Sequence, residues 1–304
     1  MGENSKIEWT SHTFNPWIGC AKIAPGCVHC YAEDDMDRRR HRVRWGVNGT
    51  RSVTSGEYWK QPARWNRQAE CIRSFDCSNG DHSDACPQSH RPRVFCASLA
   101  DVFEDREELE LWRANLFDVI DETPNLDWLL LTKRPANILR MWPEPNHTTT
   151  EDFGPKPRPN VWLGTSISDQ ETADSAIPEL VECRGLSDVL FLSAEPLLGP
   201  VDLDFACARR DIACIDWVII GGESGPAARR CDARWIIDIA DQCRNAGVPA
   251  FIKQLGANAW LDSICFDDAD PGSRLKLSDK KGGNWVEWPA DVPRVREFPN
   301  VKEH

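Results

Sequence analysis

Apolar runs of strand length recur along the chain at Val94–Ala97, Trp128–Leu131, Val161–Gly164, Val189–Leu192, Trp217–Ile220 and Ala250–Ile252, each bounded by turn or polar residues. Their Leu, Val and Ile character is continuous, which is the pattern of strands buried on both faces, as in a parallel sheet covered by helices. Between the runs lie helical periods. Leu109, Trp112, Leu116 and Val119 share one helical face, as do Trp235, Ile236, Ile239 and Cys243, in a helix entered at Asp232 and ended by Gly247. Ser168 and Glu171 have the spacing of a capping box for the helix after Val161–Gly164. Ile7–Phe14 alternates apolar and polar residues and predicts a further, first strand. Strand and helix in alternation predict an α/β fold, an open or incomplete (β/α) barrel of about six to seven parallel strands.

Three stretches interrupt this regularity. Tyr31–Arg44 reads as a helix carrying the densest basic run in the chain, Arg38 to Arg44, balanced by Glu33, Asp34, Asp35 and Asp37. Such a run either meets phosphates or forms a solvated face. Residues 46–91 lose periodicity and read as an insertion, with Trp45, Trp59 and Trp65 as packing anchors. The tail beyond Leu255 carries Trp260, Trp285 and Trp288 among Gly and Asp and is expected to pack across one end. The resulting organisation is a barrel over 1–256, with the insertion at about 46–91, and a C-terminal extension over 257–304.

With 304 residues and 41% hydrophobic content, the chain is long enough for a large buried core. Its net charge of -12 opposes non-specific attraction to nucleic acid or anionic membrane, so such a partner needs a local basic patch. Met1–Lys6 is polar, and no run approaches the roughly 18 apolar residues of a membrane-spanning helix, so a cytoplasmic location without membrane contact is expected. Thirteen cysteines in that compartment point to thiols and metal ligation over disulfides. Cys71, Cys77, Cys86, His82 and His90 offer donors for a zinc site in the insertion, although their spacings match no common zinc pattern.

The stretch Asn15-Pro-Trp-Ile-Gly-Cys20-Ala-Lys-Ile-Ala-Pro-Gly-Cys27-Val-His-Cys30-Tyr-Ala-Glu33 holds three cysteines. Cys27 and Cys30 have the two-residue spacer that brings two thiolates to one metal, and Cys20 lies upstream across a Pro25-Gly26 turn. Structural zinc takes four protein ligands, whereas a cubane cluster held by three thiolates leaves one iron free for a small molecule. A zinc loop completed by His29 or by a remote cysteine is the competing reading.

The pattern N-P-W-x-G-C followed by C-x-x-C-Y-A resembles the cluster loop of radical S-adenosylmethionine (SAM) enzymes, nearest to their spore-photoproduct-lyase-like branch. The spacing here is C-x6-C-x2-C, against C-x3-C-x2-C in most of those enzymes, and His29 stands where they carry an aromatic residue. The chain as a whole also resembles an uncharacterised phage-associated family, a domain of unknown function. Its landmarks occur here in order as KIEW (6–9), NPWIGC, CYAE, VFCASLADVFED (94–105), LLLTKRP (129–135), NVWLGTSIS (160–168), SAEPLLGP (193–200), DWVIIGGESGP (216–226) and FIKQLG (251–256).

In parallel α/β folds chemistry gathers at the carboxyl ends of the strands, and nearly every run here ends in polar or charged residues. Glu195, Glu223 and Lys253 are the candidate catalytic residues among them, with the alternative that Lys253 merely pairs with one of the two glutamates. The radical SAM resemblance implies a 4Fe-4S cluster on Cys20, Cys27 and Cys30 and SAM as second cofactor. By the same resemblance, Ser98 and Asp101 lie near the SAM amino group, Lys133 or Arg134 meets its carboxylate, and Ser166 reaches its ribose. The chemistry so implied is cleavage of SAM to a 5'-deoxyadenosyl radical acting on an unidentified substrate, with nucleic acid or peptide favoured by the phage-type resemblance. Two other readings stay open: a non-catalytic zinc- or cluster-binding module, and a metal-free phosphate-binding barrel.

Overall fold

The structure is a computed structural model that describes residues 3, 5–78, 90–143, 155–203, 214–261 and 272–301. Seven strands form one sheet in their order along the chain: β1 (His12–Thr13), β2 (Arg93–Cys96), β3 (Asp127–Thr132), β4 (Val161–Ile167), β5 (Val189–Ala194), β6 (Trp217–Gly221) and β7 (Ala250–Gln254). Every neighbouring pair is parallel. β1 does not pair with β7, so the sheet curls into a half-barrel that stays open. Each apolar run of the sequence is the body of one strand, and the first strand is shorter than its alternation suggested.

The principal helices are α1 (Gln61–Ser78), α2 (Glu110–Asp121), α3 (Gln170–Val181) and α4 (Ala233–Ala246). α4 has the ends its sequence requires: the Asp232 carboxylate accepts from the Arg234 backbone N–H, and Gly247 closes the helix at φ 70°. The capping box of α3 lies one residue away from the expected start. Asp169 accepts from the Thr172 backbone N–H at 2.9 Å, while the Thr172 hydroxyl accepts from that of Asp169 at 3.0 Å. Asp caps as well as Ser, so the sequence offered two overlapping boxes and the helix took the second.

Two further expectations are corrected. The helix expected over Tyr31–Arg44 is one α-turn, Tyr31–Glu33, continued by a π-helix over Asp34–Arg39. A π-turn brings residues five apart into register, and the charges follow it: Arg38 meets Glu33 at 3.6 Å, Arg39 meets Asp34 at 2.8 Å and Arg40 meets Asp35 at 3.0 Å. The first three arginines of the basic run are thereby neutralised on the surface. The stretch 46–91, which shows no period, contains α1. This helix buries only Pro62, Trp65 and Ala69 among its described side chains, too thin a stripe to stand out in the sequence. Trp65 is the anchor expected of it, stacked on His12 of β1 with ring centres 4.3 Å apart.

Alternate strand residues enter two different cores. Val94, Cys96, Trp128, Leu130, Leu163, Leu190, Leu192, Val218, Ile220 and Ile252 pack with α2, α3 and α4 on the convex face. Phe95, Leu129, Trp162, Phe191, Trp217, Ile219 and Phe251 fill the concave face with Trp9. Trp217 sits at the centre, in ring contact with Trp9, Trp162, Phe191, Phe251 and Phe298. The chain after Val292 covers the free edge of β7: Ile252 N–H donates to Val295 and Glu297 N–H to Ala250, each at 2.9 Å. Arg296 then reaches Glu8 at 3.0 Å, and Arg93 lies over the Phe298 ring at 3.8 Å, so the two termini meet across the gap between β7 and β1. Among the described residues no helix is long and apolar enough to cross a membrane.

The concave core makes one steric demand. A Cβ on Gly164 would lie 2.4 Å from the Phe191 ring, which is fully buried. Gly164→Ala is therefore expected to destabilise the fold by about 1–3 kcal/mol through overpacking. The additional change Phe191→Leu should recover part of that loss, read as the urea midpoint at constant slope. Equal midpoints for the parent and Gly164→Ala would refute the packing.

Candidate functional site

Two residues beyond the aromatic plug the concave face becomes polar, because Ser166, Ser193 and Lys253 take the inward positions that follow Gly164, Phe191 and Phe251. Above them a cavity of about 800 Å³ opens at the carboxyl ends of the strands. Its walls include every site residue picked from the sequence: Cys20, Cys27, Cys30, Ser98, Asp101, Lys133, Arg134, Ser166, Glu195, Glu223 and Lys253.

The cysteine loop crosses this mouth and is gripped along its length. It leaves β1 through Asn15, whose Oδ1 accepts from the Leu99 backbone N–H at 2.8 Å and whose amide donates to the Ser98 hydroxyl at 3.1 Å. Trp17–Ile18 then pairs antiparallel with Ser52–Val53. Gly19 follows at φ +112°, where a Cβ would stand 2.6 Å from the Thr50 carbonyl oxygen, so that position requires glycine. Further on, a Cβ on Gly26 would lie 2.5 Å from the Ser168 hydroxyl oxygen and 3.3 Å from Pro196, which presses the loop onto the ends of β4 and β5.

Several charged residues read from the sequence are already committed. The Asp101 carboxylate accepts from Thr132 Oγ1 at 2.6 Å, Phe103 N at 3.0 Å, Lys133 N at 3.1 Å and Arg134 Nη1 at 2.7 Å, so it serves the fold on all sides. Arg134 also donates to the Ala21 carbonyl at 2.9 Å and stands 3.6 Å from Cys20 Sγ. Of the two cations considered for a ligand carboxylate, Lys133 is the available one: among the described residues no carboxylate pairs with its ammonium. Lys253 pairs with Glu195 at 2.8 Å, and Gly221 makes room for that carboxylate, since a Cβ there would lie 2.7 Å from Glu195 Oε1.

Glu223 has a partner that the sequence did not reveal. Arg229 donates from Nη2 to Oε1 at 2.6 Å and from Nε to Oε2 at 3.0 Å, and its backbone N–H adds a bond of 2.8 Å. His29 Nδ1 lies 3.1 Å from the same Oε2, and Arg229 Nη1 donates to the Pro25 carbonyl at 2.9 Å. Burial alone would raise the Glu223 carboxyl, but the Arg229 and His29 hydrogen bonds outweigh it and hold it below the usual range. Arg51 and Glu104 were missed in the same way. They form a buried bidentate pair at 2.7 and 2.6 Å behind Arg134. Arg51 and Arg229 sit in no motif or period that marks them, and Glu104, although inside the landmark at 94–105, has no spacing that marks its role.

The thiols are electrostatically unequal. Burial, reinforced by Asp101, pushes Cys20 up to about 12, against the opposing pull of Arg134. Burial also raises Cys30, while the backbone N–H groups of Glu33 and Ala32, at the start of the following helical turn, favour its thiolate. Among the described residues no three of His, Cys, Asp or Glu converge on one point that would hold a metal ion. The three thiols of one loop nevertheless border one cavity together with the Lys133 ammonium, and three thiolates are the donor set from which a cluster with one open iron is built. In the insertion, the side chains of Cys71, Cys77, His82 and Cys86 lie outside the described residues.

Removing Arg229 leaves a buried carboxylate without its main partner. Arg229→Ala is expected to cost toward the lower end of about 3–5 kcal/mol, because Arg229 keeps some contact with water. The double variant with Glu223→Gln should recover most of it. Since the folded Glu223 carboxyl is depressed, its contribution is present above the ordinary glutamate range and is lost as the pH falls through the folded value. Denaturation midpoints against pH should therefore lose part of their acid-side slope in Arg229→Ala; an unchanged slope would refute the assignment.

No curated protein and no solved structure matches this chain. Its own sequence does match a family, described as a protein of unknown function (DUF5131), over residues 4–286. That span takes in the cysteine loop, all seven strands and every residue of the cavity named above, so the chain with its half-barrel and three-cysteine mouth belongs to this family.

Proposed function

We propose that this chain is an iron-sulfur protein that holds a 4Fe-4S cluster on Cys20, Cys27 and Cys30 and works as a radical SAM enzyme. The observation that carries the proposal is that three thiols of one loop border one cavity with Lys133, whose ammonium pairs with no carboxylate among the described residues, at the carboxyl ends of a parallel half-barrel. When bound and reduced by an external one-electron donor, such a cluster would supply the electron for reductive cleavage of SAM, the chemistry by which a hydrogen atom is removed from substrate. The chain's own residues bind, orient and exclude water. Lys133 faces a ligand carboxylate, Ser166 and Ser193 offer hydroxyls opposite each other on β4 and β5, and the aromatic plug keeps water from the floor. Glu195 and Lys253 form the ion pair that a substrate's polar groups meet. The loop resemblance to the spore-photoproduct-lyase-like branch and the phage-type landmarks tilt the substrate toward nucleic acid or peptide.

A second reading has an observation of its own. Glu223 engages His29 through Nδ1, which is how carboxylates commonly orient a histidine that ligates metal through its other nitrogen. That arrangement suits a zinc module built from His29 and the loop cysteines.

Anaerobic reconstitution with iron and sulfide, followed by electron paramagnetic resonance of the reduced protein with and without SAM, separates these readings. A cubane signal that shifts on adding SAM is expected, together with loss of the cluster in Cys20→Ser, Cys27→Ser and Cys30→Ser. A cluster indifferent to SAM would reduce the chain to a binding module. Tightly held zinc without iron uptake would establish the second reading, and a protein that takes up no metal would leave a phosphate-binding barrel.

A further inference from the structure

We infer that Arg134 is the positioning residue of the Cys20 sulfur: it fixes the first cysteine of the loop and holds a positive charge against whatever that sulfur ligates. The inference rests on the cluster reading above and changes the part the sequence suggested for Arg134, which was to meet a ligand carboxylate.

The guanidinium has little freedom to do anything else. Nη1 donates to Asp101 Oδ2 at 2.7 Å and lies 3.6 Å from Cys20 Sγ, while Nη2 donates to the Ala21 carbonyl at 2.9 Å and stands 3.8 Å from Glu104. It thus grips the loop through a sulfur and through the next backbone carbonyl. The partners are themselves immobile. Asp101 is fixed by Thr132 and two backbone N–H groups, and Glu104 by the fully buried Arg51 side chain. From the other side, Gly46 N–H donates to the Cys20 carbonyl at 2.9 Å. The Arg134 side chain is only 11% exposed.

Charge makes the contact matter. Arg51 and Arg134 balance Glu104 and Asp101, so a thiolate at Cys20 would be one negative charge beside two carboxylates. Arg134 is the cation in contact with that sulfur. An N–H donor and a positive charge at a ligating sulfur favour the reduced, more negative state of the group it holds, and so raise its reduction potential. Partners of this kind typically change metal affinity about 10- to 100-fold when replaced. Among the described contacts Cys27 has no arginine, and Cys30 has backbone donors instead, so the effect is specific to the first cysteine.

Two variants separate positioning from folding. Arg134→Lys keeps the charge but loses the fork that reaches Asp101, Ala21 and Cys20 together. Arg134→Gln combined with Asp101→Asn removes the pair as a unit, so that no unpaired charge stays buried. Each is compared with the parent for thermal melting, iron retention against a chelator, and cluster midpoint in a redox titration followed by paramagnetic resonance. The expected result is a folded double variant with iron loss about tenfold easier, and Arg134→Lys between it and the parent. In Arg134→Lys, where the charge balance is unchanged, the midpoint is expected below the parent's because the guanidinium donor at the Cys20 sulfur is lost. Parent-like midpoint and retention in both variants would overturn the inference while the cluster reading stood; a parent protein that takes up no iron would overturn both.

Discussion

A parallel sheet that stops before closing must deal with one concave face and two unpaired edges, and the rest of this molecule follows from how it does so. The lower part of the concave face is filled with rings around Trp217, because large aromatic side chains can fill a half-barrel that no opposing strands complete. The edge of β7 is covered by the C-terminal segment, which pairs with it in the antiparallel sense and carries Phe298 into the same plug. Where the rings end, at Phe191 and Phe251, the inward positions turn to Ser193 and Lys253 and the cavity begins. Its depth is thus set by two steps of strand alternation.

The cysteine loop is the roof of that cavity, and its charged contacts act as struts. Arg134 with Asp101 holds its first part, Arg229 with Glu223 holds Pro25 and His29, and the steric fit of Gly26 against Ser168 and Pro196 holds the middle. Buried pairs of this kind contribute geometry more than net stability, since desolvation offsets much of their attraction. The Glu195–Lys253 pair differs. Both of its partners keep solvent contact and border the cavity.

The fold was legible in the chain because its strands are buried on both faces, which leaves uninterrupted apolar runs, and because α4 carries an Asp cap, a glycine stop and an apolar stripe. Less was legible where burial is thin. α1 shows three buried residues among its described side chains, and the turn after Glu33 widened into a π-helix whose charge pairs five residues apart no α-period anticipates. For the site, position at strand ends was enough to place the chosen polar residues around one cavity, since the carboxyl ends of parallel strands share one side of the sheet, while the cysteines were marked by their spacing.

What the sequence by itself determined is therefore a set of residues placed at the mouth: three cysteines on one glycine- and proline-shaped loop and polar residues after nearly every strand. Their division of labour was decided only by tertiary structure. Asp101, Arg134 and Glu223 look as available in the sequence as Lys133, yet Asp101 is held by Thr132 and Arg134 by Cys20 from distant parts of the chain, and Glu223 by the nearby Arg229 together with the distant His29. The reason is physical. Which strand a residue ends is local and leaves a pattern, whereas which charge meets which across the mouth depends on the curl of the sheet and the path of the loop, and neither leaves a period in the chain.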